Sequence, residues 1–153
     1  MRLIAWLTTN GYPVAMFDQC LYFNTSALAR RLEREWSEAF EPFGLTPPQG
    51  FMLRAVLERP GSLQHELSEM LSIARPTATR VIDGLEARGY VERQRTEGDQ
   101  REVAIVPTAQ AQAIREALHH ASATVTGRIK RSLGGEAFVD TVSRLRTARA
   151  TLG

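Results

Sequence analysis

Between Ser62 and Thr108 the spacing of apolar residues changes from three-and-four to two, and the change falls at Gly89. Leu63, Leu67, Met70 and Leu71 share one face of a first helix of about ten residues, with Gln64, Glu66, Ser68 and Glu69 opposite. That helix stops near Ser72-Ile73. A second starts near Arg75-Pro76, where a Pro is tolerated because first-turn N–H groups have no helical partner. Ala78, Val81, Ile82 and Leu85 form its apolar stripe, and Gly89 stands where a helix end needs positive φ. Tyr90 to Arg95 and Glu102 to Val106 then read as strands around a polar tip, Thr96 to Arg101. Two strands alone are marginal in water, so this hairpin must lie on the helices. The fold expected is mainly α with a small β-hairpin wing, a winged helix-turn-helix.

The second helix sets Arg75, Thr77, Thr79, Arg80 and Asp83 opposite its stripe. Hydroxyls and forked guanidiniums at a helix N-terminus are what a major groove requires, although Thr here also suits plain helix capping. Net charge does not decide between these. The chain is +2 overall, yet residues 60–102 hold six basic and eight acidic side chains. The case for double-stranded DNA rests on placement: Arg75 and Arg80 on the helix, and Arg93, Arg95 and Arg101 on the wing.

The run RPTATRVIDGLEARGYVERQRTEGDQREVAIVPT resembles the recognition helix and wing of the MarR family of bacterial transcription regulators. The likeness extends over most of the chain and is densest from Leu45 to Thr108. The family's wing signature, Asp and Arg two residues apart with a Thr opening the next helix, is matched by Asp99, Arg101 and Thr108. Ser72 and Ala74 stand where the family commonly has Gly and a Ser cap, and Pro107 and Ala111 replace a frequent Leu and Gly. Losing the cap costs about 0.5–2 kcal/mol, which lowers stability and keeps the fold. The resemblance implies a regulator, most often a repressor, released from a pseudo-palindromic operator by a small aromatic ligand or an oxidant. It also implies that Arg101 enters a minor groove with Asp99 holding the tip in shape; the plain alternative is a surface ion pair worth ~0–1 kcal/mol.

Residues 1–17 read as an N-terminal arm, or as an overlong start before Met16; the short apolar run Leu3 to Leu7 makes a poor secretory signal. Asp18 to Phe43 reads as a long helix with the stripe Leu21, Leu28, Leu32, Trp36, Ala39 and Phe43. Thr46-Pro47-Pro48-Gln49 is a capping box ahead of a helix carrying Phe51, Met52, Ala55, Val56 and Leu57. After Thr108, Ile114, Leu118, Ala121, Val125 and Ile129 repeat like a coiled-coil seam, and beyond Gly134-Gly135 so do Phe138, Val142, Leu145 and Leu152. A small winged lobe cannot hide all these stripes, so residues 18–45 and 108–153 are expected to form a helical dimerisation region around a lobe at 46–107. The bland reading is a monomer with an intrachain helical hairpin.

Tyr22, Trp36, Phe40, Phe43, Phe51 and Met52 could line an apolar effector cleft, though aromatics at helical spacing are more often core. Cys20 lies in a stretch, Asp18 to Phe23, similar to the N-terminal region where peroxide-sensing members of the family keep a reactive Cys, although aligning on the Phe sets Tyr22, not Cys20, on that position. A helix N-terminus lowers a thiol pKa, while a lone Cys is often a small buried hydrophobe. A single Cys excludes an intrachain disulfide and suits the cytoplasm. No run approaches the roughly 20 apolar residues of a membrane span. His65, His119 and His120 form no ligand cluster, no cofactor motif occurs, and no nucleophile stands beside a base, so neither metal sensing nor an enzyme is expected. The competing class is a winged-helix protein-interaction module, which the acidic lobe permits.

Overall fold

The computed structural model describes residues 16–95 and 102–153, together with the backbone of 8–9 and 12–13. The chain divides into two compact units, residues 1–35 and 36–153. In the first, β1 (Thr8–Thr9) pairs antiparallel with β2 (Tyr12–Pro13), strands that the sequence pattern did not announce. Helix α1 runs Leu21–Phe40, with its last residues in the second unit. It is shorter than the expected 18–43 at both ends, because Pro42 cannot continue the ladder and Glu41–Phe43 tightens into a 3₁₀ turn. Gly44 closes that turn at φ +66°.

The second unit holds the winged lobe. α2 (Pro47–Glu58) starts as anticipated, the Thr46 N–H donating to Gln49 Oε1 at 3.1 Å. Its buried side chains are Met52, Leu53, Ala55, Val56 and Leu57, and Leu53 replaces the expected Phe51, which is 37% exposed. Gly50 is needed at the crossing with α1, since a Cβ there would lie 2.4 Å from the Phe40 ring.

Next comes β3 (Ser62–Leu63), then α3 (Gln64–Met70) and α4 (Arg75–Ala87). The first helix is therefore seven residues, not ten, because Leu63 belongs to a strand. The expected stripe is also corrected. Met70 is 42% exposed, whereas Ser68 is buried and its hydroxyl donates to the His65 carbonyl at 2.7 Å. α4 matches its sequence reading: Ala78, Val81, Ile82 and Leu85 are buried and Gly89 sits at φ +77°.

β4 (Val91–Arg95) and β5 (Val103–Pro107) pair antiparallel from Val91↔Pro107 to Arg95↔Val103. The sheet has three strands rather than two. β5 is central, with β3 on its other edge in the register Ser62↔Ile105. The Thr108 hydroxyl donates to the Gly89 carbonyl at 2.6 Å and accepts from Ala111 N–H at 3.2 Å, so one side chain fixes both the hairpin base and the start of α5 (Ala109–Leu133). The core gathers Phe40, Met52, Leu53, Val56, Leu57, Leu67, Ile82, Leu85, Val91, Ile105 and Leu118, each contributing about 1.5–3 kcal/mol by burial.

α6 (Gly135–Leu152) buries no residue within the chain. Val139 is 61% and Leu152 78% exposed, and Leu133, Val142 and Leu145 are exposed too. Among the described residues no helix is long and apolar enough to cross a membrane.

Candidate nucleic-acid interface

The helix pair is joined by a turn in which Ile73 N–H donates to the Ser68 carbonyl at 3.0 Å. Ser72 supplies φ +52°, the left-handed conformation that Gly adopts without strain. Ala74 gives α4 no side-chain cap, and Arg75 and Pro76 open its first turn. With the apolar stripe turned inward, Arg75, Thr77, Arg80 and Asp83 are exposed.

Two residues expected on this face are engaged within the lobe. Thr79 is half-buried; its hydroxyl donates to the Arg75 carbonyl at 3.0 Å and accepts from Gln64 Nε2 at 2.7 Å. Arg93, on β4, reaches Asp83 Oδ1 at 2.5 Å and also contacts the Glu86 carboxylate, so its guanidinium ties the wing strand to α4. Arg93 thereby neutralises part of the acidic charge beside the helix. Arg95 is exposed at the end of β4. Asp99 and Arg101, with the rest of the tip from 96, lie outside the described residues. Leu63, Gln64, His65, Arg75, Glu102 and Val103 line an open recess of about 330 Å³ at the foot of both helices. The sequence reading gave Gln64 and His65 no role; their position at the first turn of a helix that follows a strand is the signal that could have found them.

The cleft candidates differ in their surroundings. Phe40 and Met52 are wholly buried in the core. Phe43 lines a separate recess with Gly44, Arg88, Tyr90 and Gln110. Tyr22, in the first unit, is 80% exposed. The rings of Trp36, Phe40 and Phe51 come together, with the Phe51 centroid 6.0 Å from Trp36 and 5.8 Å from Phe40. A polar joint that sequence reasoning missed lies beside them. Ser122 of α5 accepts from Trp36 Nε1 at 3.2 Å and from Arg54 Nη1 at 2.8 Å. The Arg54 guanidinium is 5.5 Å from the Phe51 centroid, and its Nε meets His119 Nδ1 at 3.5 Å. Burial pushes the Arg54 pKa below the usual arginine value.

Cys20 is half-exposed just ahead of α1, and Phe23 N–H points at its Sγ from 3.5 Å. Among the described residues no three His, Cys, Asp or Glu side chains gather as a metal site.

A family model described as the MarR family matches residues 43–102. The HTH-type transcriptional regulator YwoH of Bacillus subtilis is 36% identical over 84 residues, which cover 55% of this chain and 61% of that one. The organic hydroperoxide resistance transcriptional regulator of the same organism is 26% identical over 94% of this chain and 96% of its own length. Among solved structures, the transcriptional repressor CouR bound to a 23-mer DNA duplex superposes with a TM-score of 0.79 at 26% identity, covering 86% of this chain and 93% of that one. The winged lobe, its apolar register and these likenesses agree: residues 43–102 match the MarR family, and the chain is similar along most of its length to transcriptional regulators.

Proposed function

We propose that the protein is a homodimeric repressor that holds a pseudo-palindromic DNA operator and releases it when a small aromatic ligand or an oxidant acts on it. One observation carries the reading: α4 turns its whole apolar stripe into the lobe and leaves Arg75, Thr77 and Arg80 exposed on the other side, beside the wing strand β4 with Arg95 exposed at its end. That face can enter a major groove while the wing follows the backbone. The unburied apolar face of α6 supports pairing with a second copy. The 23-mer on which CouR was solved is long enough for two half-sites one helical turn apart.

For release, the aromatic group around Trp36 and Phe51 supports a ligand, and the name of the hydroperoxide-resistance relative supports oxidation at Cys20. The test is a gel-shift series with the DNA upstream of the protein's own gene, titrated with salt. Specific binding with a steep salt dependence is expected; absence of any shift would establish the protein-interaction reading instead. Peroxide should weaken the shift for wild type and leave Cys20→Ser unaffected, while equal responses would remove the redox switch and leave the ligand.

A further inference from the structure

We propose that Thr79 is a positioning residue, locked to the first helix of the pair by Gln64, and that base reading by α4 falls to Thr77 and Arg80. The assignment rests on the DNA-binding reading above and goes further, dividing the helix face into residues that hold and residues that read.

A hydroxyl has one proton to donate and two lone pairs. Thr79 gives its proton to the Arg75 carbonyl one turn back, at 3.0 Å, and one lone pair to Gln64 Nε2 at 2.7 Å. It therefore has no proton for the N7, O6 or O4 acceptors of a major groove unless the hydroxyl gives up the Arg75 carbonyl, and turning its χ1 to move the oxygen outward breaks the bond to Gln64 as well. Thr79 is also half-buried, whereas Thr77 and Arg80 are exposed. On a helix Thr77 and Arg80 lie about 60° apart, and Thr79 is displaced from Arg80 by about 100° toward the side that meets α3. Arg80 presents a planar fork that fits the two acceptors of guanine, and Thr77 offers a hydroxyl and a methyl.

Gln64 gains a role from the same geometry. It is the first residue of α3 and follows directly on β3, so its amide reaches α4 from a backbone already fixed by the sheet. The bond across the two helices fixes the roll of α4, and with it the direction of Arg80.

The test is selection from a randomised duplex library by the full-length protein, followed by affinities for the selected and a scrambled duplex. Arg80→Ala and Thr77→Ala are expected to flatten one or two positions in each half-site, and Arg80→Ala to cut the selected-over-scrambled ratio about tenfold or more. Thr79→Val and Gln64→Ala should keep the selected sequence and hold that ratio within about threefold while both affinities fall together. Because each removes the same bond, the double variant should be no weaker than either single one. Thr79→Ser, which keeps the hydroxyl, should bind as wild type does. Near-ultraviolet circular dichroism confirms that each variant is folded. If Thr79→Val flattens a position that Arg80→Ala leaves intact, the division of roles is overturned. Wild type that enriches no sequence and binds no duplex refutes the DNA reading itself, an outcome distinct from any pattern among variants.

Discussion

Ser122→Ala offers the sharpest test of how the helices are joined. Ser122 is 4% exposed, and its Oγ is the common acceptor for Trp36 Nε1 at 3.2 Å and Arg54 Nη1 at 2.8 Å. Removing it leaves two donors without that partner. A hydrogen bond from a charged group is worth about 1.5–3 kcal/mol and a neutral one about 0.5–1.5 kcal/mol. Two effects reduce the loss. Arg54 is half-buried and can turn partly to water, and Ala is a better helix former than Ser by roughly 0.5 kcal/mol. The net cost is about 1–2 kcal/mol, which in a chain of this length lowers the melting temperature by about 2–8 °C. Trp36→Phe should cost about 0.5–1 kcal/mol in the wild-type background and close to nothing in Ser122→Ala, where the indole has already lost its acceptor. Thermal and urea unfolding of the four proteins at one fixed concentration measures both quantities. A Ser122→Ala protein melting within 1 °C of wild type, or a Trp36→Phe penalty unchanged between backgrounds, refutes the shared joint.

Other substitutions test other parts of the lobe. Ser72→Gly relieves a left-handed φ of +52° worth about 1–2 kcal/mol, offset by the greater chain entropy of Gly, so a net gain of about 0.5–1 kcal/mol is expected in urea unfolding; a loss would contradict the strained turn. Gly50→Ala sets helix propensity, about 1 kcal/mol in favour, against a Cβ placed 2.4 Å from the Phe40 ring. Phe40 is fully buried and has nowhere to turn, so overpacking of about 1–3 kcal/mol should win and the melting temperature should fall; a rise would show that the ring yields. Arg93→Met removes two exposed ion pairs of about 0.2–1 kcal/mol each, and its penalty should shrink in 1 M salt; a salt-independent penalty would mean that the guanidinium acts by packing.

Sequence and structure agree best where a pattern runs long enough to be tested against itself. The stripe of α4 spans two full turns and ends at a Gly that needs positive φ, and all of it reads correctly. β3 is invisible because two residues have no period, and Leu63 fits the helical spacing as well as it fits a strand. In seven-residue α3 the choice between Ser68 and Met70 as the inward residue is made by the neighbours it packs on, not by spacing. Which residue types stand on the outer side of α4 was legible, and which of the polar side chains are engaged within the lobe was not. Thr79 and Arg93 look like their neighbours until Gln64, fifteen residues away, and Asp83, ten away, are brought to them by the fold.

The middle place of β5 has a mechanical result. One edge of that strand carries β4 and the other carries β3, and the residue after β3 is Gln64, whose amide grips α4. Hairpin and α4 are thus coupled twice over, through β5 and β3 to Gln64 and directly through Arg93 to Asp83 and Glu86, so neither can shift without straining the other.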